Sequence, residues 1–180
     1  MREIEIKARL TDRNLITQKL TSLGCVFEDE ITQNDTVYVK NVGSFEIYNA
    51  NDVVLRIRIK NKDKIIFTLK KRMGNNLEAI EHETEVDSKE EMEQALFLMG
   101  YQEAMKINKT RIITHYNGCE ICLDEVEGLG SFIEMEKLVE DGDGQQIQEE
   151  LFQFFLSLGI TRDERITYGY DLLILEKMYK

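Results

Sequence analysis

The sequence is poor in cysteine and has no long apolar segment. Its three cysteines are an odd number, and the N-terminal residues lack the apolar stretch of a secretion signal, so we expect reduced thiols rather than a disulfide framework. No apolar run approaches the roughly 20 residues that a membrane-spanning helix requires. These absences argue against a disulfide-rich secreted domain and against a membrane partner, and they predict a cytoplasmic location.

Positive charge is also scarce. Lys and Arg number 23 against 34 Asp and Glu, which gives a formal net charge of −11. Because affinity for a phosphate backbone comes from a basic footprint, we do not expect a nucleic-acid partner. The 180 residues, 42% of them hydrophobic, are enough to bury one core, so we expect a single domain spanning residues 1–180.

Apolar residues alternate with polar ones over most of the chain, which predicts β-strands. We expect eight of them, at about 2–10, 32–40, 52–60, 64–72, 79–87, 106–116, 119–125 and 131–139. Stretches with a period near 3.6 predict helices after Asp12, after Ser88, after Gly144 and over about 167–178. This pattern favours a mainly β, α+β fold: a closed eight-stranded antiparallel barrel with amphipathic helices packed outside.

Like charges recur at alternate positions of the predicted strands. On one strand this would indicate a solvated face, but like charges side by side repel, and the repetition on several strands needs another reason. If helices cover the apolar outside of the barrel, the charged faces point inward. The residues concerned are Arg56, Arg58, Lys70, Lys109 and Arg111 among the bases, and Glu3, Glu5, Glu81, Glu83, Glu85, Asp124, Glu134 and Glu136 among the acids.

An interior lined with Lys and Arg suits a multiply charged anion, above all a polyphosphate. Paired glutamates supply the oxygen ligands that Mg²⁺ and Mn²⁺ prefer. The residues therefore predict a metal-dependent triphosphate site. Two alternatives remain open: a non-catalytic binder of polyphosphate or nucleotide, and a barrel that carries an apolar ligand.

An ordered series of motifs resembles the CYTH superfamily, the triphosphate tunnel metalloenzymes. It begins with Glu3-Ile4-Glu5-Ile6-Lys7, similar to the Glu-x-Glu-x-Lys signature of that family. The series then continues through Gln33-x-Asp35-x-x-Tyr38, Leu55-Arg56-Ile57-Arg58, Thr68-Leu69-Lys70, Glu83-Thr84-Glu85, Lys109-Thr110-Arg111, Leu123-Asp124 and Gly128 to Glu134. The resemblance covers nearly the whole chain.

The resemblance implies a role for each matching residue. Glu3, Glu5 and Glu134 would hold a divalent metal, with Glu136 close by, and Asp124 would sit in the site as a further acid. The catalytic set would be Glu3, Glu5, Lys7 and Asp124. The substrate-binding set would comprise Lys7, Arg56, Arg58, Lys70, Lys109 and Arg111, together with Glu83 and Glu85.

The segment from Glu5 to Leu10 is similar to the class IV adenylyl cyclase branch of the superfamily. This resemblance implies a lyase that converts ATP to cyclic AMP and pyrophosphate with Mg²⁺ or Mn²⁺. The alternative is a hydrolase of thiamine triphosphate, inorganic triphosphate or nucleoside triphosphate. Glu136 is a departure, since the cyclases need no second acid there. The resemblance also implies a small-molecule triphosphate, ATP or another, as the partner. The oligomeric state stays open, with a homodimer as one alternative.

Overall fold

The structure is a computed structural model that describes residues 2–73 and 77–178. The strands in these ranges are Arg2–Arg9 (β1), Ile31–Val39 (β2), Val53–Lys60 (β3), Lys64–Arg72 (β4), Glu78–Glu85 (β5), Gln102–Tyr116 (β6), Cys119–Val126 (β7), Gly130–Val139 (β8) and Arg165–Ile166 (β9). The helices are Arg13–Ser22 (α1), Phe45–Asn49 (α2), Lys89–Leu98 (α3), Gly144–Ser157 (α4) and Tyr170–Met178 (α5). Within these ranges no helix is both long and apolar enough to cross a bilayer.

The strands form one sheet in the order β5-β4-β3-β2-β6-β7-β8-β1-β9, and β5 also pairs with β1. The order of eight strands thus closes on itself, which confirms the predicted mainly β, closed antiparallel barrel. The short strand β9 is an addition at Lys7 and Ala8 of β1. By their internal contacts the described residues form two compact units, 2–31 with 110–167 (unit 1) and 32–109 with 168–178 (unit 2).

In unit 1, β1, β7 and β8 carry apolar side chains on one face and ionic side chains on the other. Ile6 lies opposite Met135, and Ile121 also lies opposite Met135, so their side chains share a face. The apolar face packs against helices α1 and α4, whose contributions to this core include Leu20 and Phe155. The helices cover the apolar face of these strands, as the sequence predicts.

Unit 2 repeats this arrangement on β2, β3 and β4. The apolar core contains Tyr38, Leu55 and Ile57 from the strands and Leu96 from helix α3. The hydroxyl of Ser88 accepts a hydrogen bond from the backbone N–H of Glu91, which caps the start of α3 where the sequence predicts a helix to begin. The alternate residues of these strands, including the predicted phosphate ligands, lie on the opposite face.

Three details differ from the sequence prediction. The short helix α2 and the two-residue strand β9 were not predicted, because neither is long enough to show a period. The last helix begins at Tyr170 rather than near Thr167, since Arg165 and Ile166 instead pair with β1. Strand β6 begins at Gln102, some four residues before the predicted start.

Candidate functional site

The ionic face of unit 1 is built from neighbouring positions on adjacent strands. Glu5 of β1 lies opposite Glu136 of β8, and Lys7 lies opposite Glu134. Cys122 of β7 is the other neighbour of Glu134. Because directly opposed residues of antiparallel strands point to the same face, their charged ends are brought together. All of them except Glu136, which is partly exposed, are buried.

Lys7 is held between two carboxylates. Its Nζ lies 2.9 Å from Oε1 of Glu5 and 2.9 Å from Oε1 of Glu134. Burial alone lowers the pKa of Lys7, but the charges of Glu134 and Glu5 outweigh it and raise that pKa above its ordinary value. Lys7 is therefore a cation at neutral pH, fixed in place among the acids.

Arg111 of β6 is oriented by Asp124 of β7. Its Nε donates to Oδ1 at 2.7 Å and its Nη2 donates to Oδ2 at 2.6 Å, which is the bidentate arrangement that fixes a guanidinium plane. Nη2 also donates to Glu134, and Nη1 lies 3.8 Å from Glu136. Burial lowers the pKa of Arg111, but Asp124 and Glu134 outweigh it, so the group stays charged.

The acids of unit 1 can hold a divalent cation. Glu3, Glu5 and Glu136 each offer a carboxylate oxygen, and these ligand atoms lie within 4.8 Å of one another. Burial and then the charge of Glu3 raise the pKa of Glu136 well above its ordinary value. The part that comes from Glu3 is repulsion between carboxylates, which a bound cation relieves. Carboxylate oxygens suit Mg²⁺ and Mn²⁺. The donor set therefore fits the metal that the sequence predicts.

A second ligand cluster consists of Cys122, Glu134 and Glu136, again within 4.8 Å of one another. Burial raises the pKa of the Cys122 thiol, so it stays protonated at neutral pH. A protonated thiol is a poor metal ligand, and a hard cation prefers oxygen. The oxygen atoms of Glu134 and Glu136 are thus the useful ligands of this cluster.

The ionic face of unit 2 carries the cations Arg56, Arg58 and Lys70. Arg58 donates from Nε and Nη2 to the two oxygens of Asp35, at 2.7 and 2.8 Å. Burial alone raises the pKa of Asp35, but Arg58 and, less strongly, Arg56 and Lys109 lower it to about 2. Asp35 is therefore ionised over the physiological range and holds Arg58 in one orientation.

Arg56 and Lys70 are anchored by acids of β5. Nη2 of Arg56 donates to Thr68 at 3.1 Å and to Glu83 at 2.9 Å. Nζ of Lys70 lies 2.7 Å from Glu81. Burial raises the pKa of Glu81, but Lys70 and Arg56 outweigh it and lower that pKa. Arg58, Arg56 and Lys70 are thus each held by a carboxylate from another strand of this face.

Lys109 lies beside the first residue of helix α5. Its Nζ is 4.8 Å from the centre of the Tyr170 ring, within the range of a cation–π contact. The next residue, Asp171, accepts hydrogen bonds from Arg72 of β4 at 2.8 Å and from the hydroxyl of Tyr48 at 2.7 Å. These contacts fix the start of α5 and with it the ring beside Lys109.

The acids of β5 are candidate site residues, and the sequence did not predict how deeply each of them is buried. Glu81, Glu83 and Glu85 share a face, but their side chains are 13%, 48% and 68% exposed in that order. Glu85 lies at the exposed end, where it pairs with Lys64. Sequence reasoning also missed Asp35 as the partner of Arg58. The signal was the motif Gln33-x-Asp35, which places a carboxylate at an alternate position of β2.

Comparison with known proteins identifies the family to which this chain belongs. The CYTH domain model matches residues 1–170. The chain is 31% identical over 176 residues to the protein named "Putative adenylate cyclase MJ0240" of Methanocaldococcus jannaschii, covering 94% of this chain and 97% of that one. Among solved structures, PH1819 of Pyrococcus horikoshii OT3 is 28% identical, with a TM-score of 0.79 and coverage of 97% of this chain and 99% of that one.

A more distant solved structure shares the fold. HpAC1 from Hippeastrum is described as a "putative adenylyl cyclase" with a dominant triphosphatase activity. It is 18% identical to this chain, with a TM-score of 0.57 and coverage of 93% of this chain and 91% of its own. The relative from Methanocaldococcus jannaschii thus carries the name of a cyclase, and a protein that shares only the fold is described with a triphosphatase activity.

Proposed function

We propose that this chain, which belongs to the CYTH domain family, is a metal-dependent class IV adenylyl cyclase that converts ATP to cyclic AMP and pyrophosphate. The observation that carries the proposal is the chemistry of the two ionic faces, each taken by itself. Unit 1 presents clustered glutamates that can hold a cation, and unit 2 presents cations that can hold phosphate.

In this proposal Glu3, Glu5, Glu134 and Glu136 hold Mg²⁺ or Mn²⁺. When bound, the metal supplies positive charge to the phosphate oxygens of the substrate. Lys7 and Arg111 lie among these carboxylates and remain charged, so they keep the acids from repelling the substrate. Asp124 is a positioning residue, because it contacts Arg111 and fixes the plane of its guanidinium group.

The phosphate chain is held by Arg56, Arg58, Lys70 and Lys109. Arg58 uses one edge of its guanidinium group for Asp35, which leaves N–H donors on the other edge for phosphate oxygens. Glu81 and Glu83 hold Lys70 and Arg56 in place, as Asp35 holds Arg58. Cations held by carboxylates lose less side-chain entropy when the substrate arrives.

In this reaction the protein forms no covalent bond to the substrate. The 3′-oxygen of ATP forms a bond to the α-phosphorus, and the bond between that phosphorus and the bridging oxygen breaks. The electron pair leaves with pyrophosphate, and the hydroxyl proton passes to solvent. Such a transfer is accelerated mainly by positioning and by cations that neutralise the developing charge.

Triphosphate hydrolysis is the second candidate, in which water rather than the 3′-oxygen attacks phosphorus. The observation that favours it is Glu136, an acid that the cyclases do not need, which lies in both ligand clusters. HpAC1, a protein of the same fold, is described with a dominant triphosphatase activity. The product assay therefore measures hydrolysis as well as cyclisation.

The test is a product assay. The protein is incubated with ATP, tripolyphosphate or thiamine triphosphate in the presence of Mg²⁺ or Mn²⁺, and the products are separated by ion-exchange chromatography. Cyclic AMP with pyrophosphate supports the cyclase, and orthophosphate identifies the triphosphatase. If the protein binds these compounds but turns over none of them with either ion, it is a non-catalytic binder, and the proposal is contradicted. Asp141→Asn, a substitution in an exposed loop, is the control variant: purified in the same way, it should give the same products at the same rate as the wild type.

A further inference from the structure

Gln33 of β2 carries a buried polar atom that the structure leaves unsatisfied. The residue is only 4% exposed, and its amide oxygen has no hydrogen-bond partner among the described residues. Most buried polar side-chain atoms in proteins are hydrogen-bonded, and an acceptor left without a donor destabilises the fold. The position of this amide therefore calls for a donor from outside the chain.

The amide lies on the ionic face of unit 2. Gln33 is opposite Lys60, and Asp35, two residues further along β2, is opposite Arg58. Alternate residues of a strand point to the same face and are about 7 Å apart. Gln33 therefore lies on the same face as the Asp35–Arg58 pair and next to it along β2. Asn34, between them, is exposed on the other face.

The chemistry of an amide oxygen limits what it can bind. The oxygen is a neutral acceptor, and it needs an N–H or O–H donor. An ionised triphosphate presents almost only acceptors, so the oxygen cannot bind the phosphate chain itself. Donors are found on the organic group of an organic triphosphate, as sugar hydroxyls or as amino groups of the base.

We propose that Gln33 is a specificity-determining residue that accepts a hydrogen bond from the organic group of an organic triphosphate. The proposal rests on the proposed function and deepens it, because it names the substrate class as a triphosphate with a donor-bearing organic group. Tripolyphosphate would bind the same cations without contacting Gln33. The two ligands therefore separate the role of the amide from the role of the cations.

The first experiment compares Gln33→Met with the wild type. Methionine keeps the approximate length and removes the amide. Binding of ATP and of tripolyphosphate is measured by calorimetry with EDTA present, so that neither is turned over. We expect ATP to bind about twofold to tenfold more weakly to the variant, the effect of one neutral hydrogen bond, and tripolyphosphate affinity to change less than twofold. Gln153→Met, at an exposed position of α4, is the matched control and should change neither.

The second experiment needs no variant and stands even if Gln33→Met folds poorly. The wild type is titrated with ATP, 2′-deoxy-ATP, 3′-deoxy-ATP and purine riboside triphosphate, which lack one sugar hydroxyl or the base amino group in turn. We expect one of the three analogues to lose about twofold to tenfold in affinity, and this identifies the donor. Equal affinity of all four overturns the inference.

The outcomes separate this inference from the proposed function. If the wild type binds neither ATP nor tripolyphosphate even with Mg²⁺ or Mn²⁺ present, the proposed function fails and the inference fails with it. If the wild type binds both and Gln33→Met weakens both equally or neither, only the inference fails. Loss of ATP affinity alone, together with loss of the analogue preference in Gln33→Met, supports it.

Discussion

Asp35→Asn is predicted to remove a pH-dependent contribution to stability. Asp35 is buried, and the groups that face it are Arg58, Arg56 and Lys109. These cations outweigh the effect of burial and lower the pKa of Asp35 from its ordinary value of 3.8 to about 2. The folded protein thus holds the carboxylate form more strongly than the unfolded chain does.

The size of the effect follows from linkage. A pKa lowered from 3.8 to about 2 corresponds to about 2.5 kcal/mol of folding free energy at pH 7. Because the folded pKa is the lower one, this contribution is fully present above the unfolded pKa and is lost as the pH falls through the folded pKa. At pH 3 about 1.3 kcal/mol of it should remain.

The assay is urea unfolding of the wild type and Asp35→Asn at pH 7 and at pH 3. The difference in free energy of unfolding between the two proteins should shrink by about 1.2 kcal/mol between these values. Asp29→Asn, at an exposed position, controls for loss of an acid and should show almost no such change. A difference of equal size at both pH values would refute the claim that Asp35 is held ionised by these cations.

Three further predictions concern the two ionic faces. Asp124→Asn should destabilise the fold by about 3–5 kcal/mol, measured by urea unfolding, because it removes the bidentate partner of buried Arg111; an unchanged midpoint would contradict that role. Glu3→Gln should weaken Mn²⁺ binding about tenfold or more, measured by electron paramagnetic resonance, without lowering the melting temperature, since it relieves repulsion; a large fall in melting temperature would instead mark a structural residue. Tyr170→Leu should weaken tripolyphosphate binding by about 0.5–2 kcal/mol through Lys109, and Tyr170→Phe should restore it; equal loss in both variants would exclude the ring contact.

Much of the fold could be predicted because its strands show a clear period. The alternation of Ile4 and Ile6 with Glu3 and Glu5 assigns the two faces of β1 without any structure. The starts of α1 and α3 could also be predicted, because Asp12 and Ser88, residue types that cap helices, stand directly before them. Elements as short as β9 and α2 leave no period, and their positions depend on pairing partners that lie far away in the chain.

The sequence predicted which face of a strand each candidate site residue occupies. It did not predict how deeply the side chain is buried or which residue it pairs with. Period two places Glu81, Glu83 and Glu85 together, yet only the structure distinguishes buried Glu81 from exposed Glu85, because depth depends on where the neighbouring strands end. The pairing of Arg58 with Asp35 depends on the register between β2 and β3, which alternation within one strand does not specify.

The central claim is that the inward cations, rather than the lysines and arginines of the surface, bind the phosphate chain. Lys70 and Lys71 are neighbours of the same type on opposite faces of β4, and Lys71 is exposed. In calorimetric titration with tripolyphosphate, Lys70→Met should weaken binding by about 1.5 kcal/mol, or about tenfold, while Lys71→Met should leave it within about twofold of the wild type. Equal effects of the two substitutions, or a larger effect at Lys71, would contradict the account.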